Sequence, residues 1–220
     1  MKKILLTTVF ILSVTILFAQ TNFQDVVYLK NDTTEPQPMQ QEQTFTRTPQ
    51  FGIKGGLNVA NEIATDGRYS SQTNARVGIH VGFFMELPIS AKFDFQPELL
   101  YSMQGGSYKD EGITYTDKID YINLPLLFKW YVWQRRLSID FGPQFGYMIS
   151  AKVSSGKNSV GFYDSNELKK FDASLALGLT FKITDKIDVG LRGTAGLTNM
   201  YEGDVNYTNS VSQISIALKF

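Results

Sequence analysis

The chain of 220 residues contains no cysteine and a single histidine, His80. Without cysteine it has no disulfide bond, no thiol nucleophile and no cysteine ligand for a metal. Basic and acidic side chains number 21 each, so the net charge is zero and gives no electrostatic basis for binding nucleic acid. Beyond the first 20 residues no apolar run is long enough for a membrane helix, which argues against a helical membrane protein.

The first 50 residues have the composition of an export signal followed by a linker. Residues 1–19 are predicted to be a signal peptide, with a basic start at Lys2 and Lys3, an apolar run, and cleavage between Ala19 and Gln20. An uncleaved anchor is the alternative. Residues 20–50 are rich in Thr, Gln, Asn and Pro and are predicted to form a flexible periplasmic segment.

Residues 118–149 show the pattern that organises the rest of the chain. Apolar side chains alternate with polar ones on both sides of a tight turn at Gln134 and Arg135, which is typical of two strands with one apolar face each. Each strand exceeds the roughly 9–11 residues that cross a bilayer when tilted. The other faces carry charges and glycines, as the interior of a membrane barrel does.

The same alternation recurs often enough to predict eight strands, at residues 51–60, 76–87, 92–104, 118–133, 136–149, 171–183, 186–197 and 210–220. Short turns alternate with long polar segments at residues 61–75, 105–117, 151–170 and 198–209. This regularity predicts an all-β protein in which residues 51–220 form an eight-stranded antiparallel up-and-down transmembrane β-barrel, with short periplasmic turns and long extracellular loops. A soluble β-sandwich is the alternative.

The inward faces of the predicted strands carry both signs of charge. An eight-stranded barrel is just wide enough for side chains to fill it, so we expect these charges to pair as a network that plugs the lumen. The alternative is a small channel for ions or solutes. The predicted network comprises Lys54, Arg76, His80, Glu86, Asp94, Glu98, Lys129, Arg136, Asp140, Asp172, Lys182, Asp188 and Arg192, and the same faces carry Lys92 and Lys219.

His80 is the one residue that could support catalysis. Paired with Glu98 or Asp94 it could activate a water or a serine in a lipid-modifying enzyme. The chain has no G-x-S-x-G motif and no second histidine, and the loop acids lack the spacing of calcium-binding loops. We therefore predict a structural histidine, no enzyme activity, no catalytic or metal site and no cofactor.

Several segments together resemble one known family. They are FGIKGGLN, FDFQPELLYSMQGG, YINLPLLFKW and IDFGPQFGY, in a chain that ends in Phe220. They are similar to the outer-membrane β-barrel family (porin-like, PorT-type) over residues 50–220. Asn123 departs from the acidic residue that often stands in this position of the family. The resemblance implies an integral barrel in the outer membrane but no defined activity.

These patterns favour a structural or surface-interaction protein that contacts outer-membrane lipid. Its four long loops would offer a surface to a protein or another surface ligand. By family analogy alone, a role in protein secretion machinery is a further alternative. The patterns leave the oligomeric state and the identity of any ligand open.

Overall fold

Eight long antiparallel strands form a closed ring in the computed structural model, which describes residues 47–65, 70–110, 113–155, 158–162, 169–199 and 206–220. The predicted signal peptide, its cleavage site at Ala19 and Gln20, and most of the predicted periplasmic segment lie outside these residues. The long strands are β1 (Gln50–Thr65), β3 (Asn74–Pro88), β4 (Phe93–Gln104), β6 (Ile113–Trp133), β7 (Leu137–Ser155), β9 (Phe171–Lys182), β10 (Ile187–Gly196) and β11 (Asn206–Lys219).

The ring closes because β1 pairs with β3 on one side and with β11 on the other. Every other long strand pairs with the neighbours that precede and follow it along the chain, so the topology is up-and-down. The predicted eight-stranded barrel is therefore confirmed. Closure leaves no long strand with an unpaired edge, as the backbone of a barrel in lipid requires.

Three short strands, β2 (Ser70–Gln72), β5 (Gly106–Asp110) and β8 (Asn158–Phe162), extend the long hairpins at one end of the barrel. The sequence assigned these residues to loops, and it also ended β1 and β7 too early. Both assignments are wrong for one reason. Outside lipid a strand needs no apolar face, so the ladder continues through polar residues that do not show the alternation.

The opposite end is built from tight turns. Gln134 and Arg135 both have positive φ, 39° and 57°, as the two central residues of a type I′ hairpin turn require. In the turn between β9 and β10, the hydroxyl of Thr184 accepts hydrogen bonds from the backbone N–H groups of Lys186 and Ile187. The turn before β4 uses Ser90 in the same way, with Phe93 as a donor.

Side chains alternate between lipid and lumen along the central parts of the long strands. In β6, Ile122, Leu124 and Phe128 are exposed on the outside, while Asn123 and Leu127 are buried inside. Aromatic rings form ladders on the outer face, for example Phe95–Phe128 and Phe128–Phe141 with centroids 5.3 and 6.1 Å apart. Exposed apolar side chains over the whole circumference are the outer face expected of a barrel in lipid.

Glycines bring neighbouring backbones and lumen side chains close together. A Cβ at Gly56 would overlap the carbonyl oxygen of Ile214 and lie 2.9 Å from the imidazole of His80. A Cβ at Gly82 would overlap the carbonyl oxygen of Leu99. Gly56 therefore leaves room for the imidazole of His80, and Gly82 allows a close approach of the backbone of β4. Within the described residues, no helix is long and apolar enough to cross a membrane.

Candidate functional site: the lumen of the barrel

The centre of the lumen is crossed by an ion pair between Glu98 of β4 and Arg192 of β10. The guanidinium donates from Nη1 to Oε2 at 2.8 Å and from Nη2 to Oε1 at 2.7 Å, which is a bidentate geometry. The two strands lie on opposite sides of the ring, with three long strands between them in either direction. Both side chains are almost completely buried. This pair therefore bridges the full width of the barrel.

Two further side chains complete the shell around Glu98. The ammonium of Lys54, from β1, lies 3.1 Å from Oε1, and the amide of Gln96 donates to the same oxygen at 2.6 Å. Glu98 thus faces two cations, so the group has a net positive charge before its other neighbours are counted. Buried charges of this kind are tolerable only where their hydrogen bonds are satisfied.

Next to this group, nearer the tight turns, lies a second cluster around Glu86. The ammonium of Lys219 bridges Glu86 at 3.1 Å and Asp188 at 2.7 Å. Lys129 approaches Glu86 at 3.8 Å, and the hydroxyl of Tyr131 donates to it at 2.8 Å. The two lysines and two carboxylates balance, which lets four buried charges share one small volume.

The inner lumen contains very little free space. Asp140 of β7 accepts hydrogen bonds from Ser138 at 2.7 Å and from Thr180 at 2.5 Å. Between Lys54, Lys129, Thr180 and Asp188 lies a cavity of about 10 Å³. That volume is about the minimum that holds one water molecule. Side chains thus pack closely around this cavity in the inner half of the lumen, by which we mean the part from the Glu98–Arg192 pair to the tight turns.

Asp94 marks the inner end of the lumen and is fully buried. Arg135, from the turn between β6 and β7, donates to it at 2.8 Å and stacks 3.8 Å from the ring centroid of Tyr131. Arg47, from the residues that precede β1, binds the same carboxylate and also donates to the carbonyl of Ser90 at 3.2 Å. Two arginines thus close this end of the barrel over one carboxylate.

The outer half of the lumen, nearer the long loops, is organised around the amide of Asn58. Its Nδ2 donates to Ser102 Oγ and to the carbonyl of Met103, both at 2.9 Å. Its Oδ1 accepts from Gln213 at 3.0 Å and lies 2.8 Å from Nδ1 of His80. Because Oδ1 can only accept, Nδ1 of His80 carries the proton. Within the described part of the chain, Nε2 of His80 has no hydrogen-bond partner.

Above this group the lumen is less charged and partly apolar. Gln104 binds Ser102 and Asn209, and its carbonyl accepts from Arg76. Asp172 accepts a hydrogen bond from Thr198 at 2.9 Å. Ile119, Tyr121 and Met148 form a buried apolar cluster between these polar groups. The group around Asn58 is therefore neutral, while the carboxylates of Glu62, Asp117 and Asp172 are also buried in the outer half.

Several residues assigned to the lumen network by the sequence lie elsewhere. Arg136 is exposed, because residues 134–136 form the turn and β7 begins only at Leu137, so that assignment is wrong. Lys92 is exposed at the turn before β4. Lys182 is half-buried at the same rim and pairs with Asp185 at 3.2 Å. Near a turn the alternation ends, so it no longer tells which side chains point inward.

The sequence also missed residues that shape the site. Arg47 fell within the segment predicted to be a flexible linker, yet it binds Asp94. Arg135 was identified only as part of a turn. Asn58 and Gln213 lie on inward faces, but nothing in their neighbourhood indicated that they meet His80. One signal could have suggested both arginines. Arg47 and Arg135 each lie at the tight-turn end of a predicted strand, the same end as the predicted inward carboxylate of Asp94.

The histidine is not arranged as a catalytic base. Asn58, rather than a carboxylate, binds Nδ1 of His80, and Glu98 and Asp94 are each held by two cations. A nucleophile and base within hydrogen-bond reach, oriented by a third group, is the usual requirement for nucleophilic catalysis. Among the described residues, no cluster of three or more potential ligands could hold a metal ion.

Comparison with known proteins gives one family and a set of structural neighbours. The family model described as outer membrane protein beta-barrel domain matches residues 37–202, more than half of the chain. Neisserial surface protein A (NspA) is similar, with a TM-score of 0.47 and 15% identity over 79% of this chain and 100% of that one. Ail, the attachment invasion locus protein of Yersinia pestis, has a TM-score of 0.44 and 13% identity over 79% and 100%. OprG from Pseudomonas aeruginosa has a TM-score of 0.41 and 12% identity over 78% and 95%. A search of curated proteins finds no match.

Proposed function

Since the chain belongs to the outer membrane protein β-barrel domain family, and so is an outer-membrane protein, we propose that it is a non-enzymatic barrel whose lumen is plugged by paired charges. Its tight turns face the periplasm, and its long hairpins form a surface for interaction outside the cell. In this function the barrel itself is a scaffold. Recognition belongs to the polar segments that extend beyond the membrane.

The observation that carries the plug is the bidentate pair between Glu98 and Arg192. The pair joins opposite strands across the lumen, and Lys54 fills the space beside it. A hydrated ion would have to break these hydrogen bonds and leave three buried charges without partners. Eight-stranded barrels have interiors that side chains can fill, and the small volume of the cavity beside Lys54 and Lys129 supports a filled lumen here.

Conductance in planar bilayers tests the plug. Wild-type protein is expected to give no conductance steps above the lipid baseline. The double variant Glu98→Ala/Arg192→Ala removes both charges together and opens space across the lumen, so we expect it to be the first to pass ions. The matched control is Lys182→Ala/Asp185→Ala, an ion pair at the rim, which should stay silent. Steps from wild-type protein would show that the barrel is a small channel instead.

The interaction surface is proposed for residues 61–75, 105–117, 151–170 and 198–209. Protease treatment of intact cells should cut within 151–170 and leave the barrel strands intact. A matched control is treatment of cells whose outer membrane has been opened, in which the turns also become accessible. Protection of all four segments in intact cells, with cleavage at the turns, would mean that the barrel has the opposite orientation.

Absence of enzyme activity is proposed because His80 faces an amide and has no carboxylate partner among its hydrogen bonds. A His80→Asn strain is expected to show the same phospholipid and lipid A profile as the wild type by mass spectrometry. Asn58→Asp, which would give the imidazole a carboxylate partner, is the matched control for a gain of activity. A lipid species lost in the His80→Asn strain alone would support a lipid-modifying enzyme.

A further inference from the structure

The exposed cations at the rim with the tight turns form a continuous arc. Lys92, Arg136 and Lys186 are exposed, and Lys182 is half-buried beside them. Lys92, Arg136 and Lys186 lie in the turns between strands, and Lys182 is the last residue of β9. The alternation in the sequence had placed Lys92, Arg136 and Lys182 on the inward faces. Only the structure shows that they lie at the rim.

Backbone hydrogen bonds hold these residues in register around the rim. Tyr131 N–H donates to the carbonyl of Lys92 at 2.9 Å, and Lys182 N–H donates to the carbonyl of Arg136 at 2.7 Å. Farther along, Lys219 N–H donates to the carbonyl of Lys186 at 2.8 Å. The arc thus follows β4, β6, β7, β9, β10 and β11 in their order around the ring.

Few acidic groups offset this charge. Among the rim side chains described in residues 89–92, 134–136 and 183–186, Asp185 supplies the single carboxylate, and it pairs with Lys182. Arg135 is already bound to Asp94. Lys92, Arg136 and Lys186 therefore remain as three exposed positive charges at the rim with the tight turns.

Both tryptophans of the chain lie beside these cations. Trp133 is 52% exposed immediately before the turn that carries Arg136, and Trp130 stacks on Phe93 next to Lys92, with centroids 6.3 Å apart. Trp side chains prefer the boundary between hydrocarbon and water. Lysine and arginine at the same level extend their charged ends into the headgroup region.

We propose that this arc binds the phosphate groups of anionic phospholipids in the leaflet that surrounds the tight turns. Three exposed cations can bind several phosphate groups, and arginine offers a bidentate donor for one of them. The proposal assigns a lipid site to the outside of the barrel, independent of the lumen and of the loops.

Both tryptophans of the chain, Trp130 and Trp133, lie at this rim, so intrinsic fluorescence reports directly on its lipids. The protein is reconstituted in phosphatidylcholine vesicles with a minor fraction of phosphatidylglycerol. Bromine quenchers are placed on the acyl chains of either the phosphatidylglycerol or an equal fraction of the phosphatidylcholine. We expect stronger quenching by the brominated phosphatidylglycerol, equivalent to an enrichment of about fivefold around the rim, which decreases as salt is added.

In the triple variant Lys92→Gln/Arg136→Gln/Lys186→Gln, we expect the two brominated lipids to quench the tryptophan fluorescence equally. Its matched control, Lys118→Gln/Lys169→Gln/Lys170→Gln, changes exposed lysines toward the long loops and should retain the preference. All six positions are exposed, and a heat-dependent shift in gel mobility checks that each variant is folded. Equal quenching of the wild type by the two lipids would overturn the proposal. The arc would then be a candidate site for a protein or a soluble anion instead. A preference unchanged in the rim variant would overturn it too.

Discussion

In the inner half of the lumen full charges pair with one another, whereas in the outer half amides, hydroxyls and one imidazole form a neutral hydrogen-bonded group around Asn58. Glu98 binds Arg192 and Lys54 in the inner half. Asn58 binds Ser102 and Gln213 in the outer half. Both halves are buried, so the contrast does not come from access to water. It separates two ways of filling a narrow barrel with polar groups.

The two halves should respond differently to the loss of one partner. A buried charge whose partner is removed keeps its full desolvation penalty, while a neutral amide loses only its own hydrogen bonds. A charged network is therefore harder to alter one residue at a time. A neutral network tolerates single changes better, because other polar groups or a water can replace a missing donor.

Glu98→Ala should disrupt the inner half most severely. It leaves Arg192 and Lys54 buried without their shared carboxylate, and we expect the free energy of unfolding to fall by about 3–5 kcal/mol. Urea titration of the protein in lipid vesicles, followed by gel mobility and circular dichroism, measures this loss. In the triple variant Lys54→Met/Glu98→Leu/Arg192→Met all three charges are replaced, and much of the stability should return. If the single variant is as stable as the wild type, the pairing across the lumen contributes nothing.

Leu126→Arg adds a charge to the lipid face of β6 and so tests the contrast between the two surfaces of this strand. Leu126 points outward in the middle of this strand, and an arginine near the bilayer midplane should destabilise the barrel by ~2–4 kcal/mol. The same urea titration gives the loss. Thr114→Arg, on an exposed position at the outer end of β6, is the matched control and should have little effect. A tolerated arginine at 126 would mean that the outward face has been assigned wrongly.

Asn58→Ala tests the outer half. It removes the acceptor of His80 and Gln213 and the donor to Ser102, so we expect a loss of about 1–3 kcal/mol. Unfolding of this variant in the same vesicles gives the number to set beside that of Glu98→Ala. Asn58→Asp keeps an acceptor for Nδ1 of His80 and for Gln213 but loses the donor to Ser102. A loss at Asn58 equal to that at Glu98 would remove the distinction between the halves.

Asp185→Ala should have the smallest effect. Its carboxylate is 99% exposed and pairs with Lys182 only at the surface, where solvent and salt screen the interaction. We expect no measurable change in the urea midpoint. A clear destabilisation would show that the rim, and not only the lumen, holds the turns together.

The sequence predicted the fold well because alternation is a local property. Which of Lys54, Glu98 and Arg192 face the lumen follows from the period of two within each strand. Which of them meet does not, since Glu98 and Arg192 are 94 residues apart and the stagger between strands brings them together. The mistakes lie where the strands end. Arg136 was predicted to point inward but belongs to the turn before β7. Arg47 was predicted to lie in a flexible segment but binds Asp94 from a position before β1.

Ring closure has a consequence for how the chain can be cut and rejoined. Phe220 N–H donates to the carbonyl of Phe51 at 2.9 Å, so the first and last strands end side by side. A closed ring has no intrinsic first strand. In a chain without residues 1–46, a short linker from Phe220 to Arg47 and a new opening in the turn at residues 183–186 would give a circular permutant with every strand pair retained, because no pairing depends on where the chain starts.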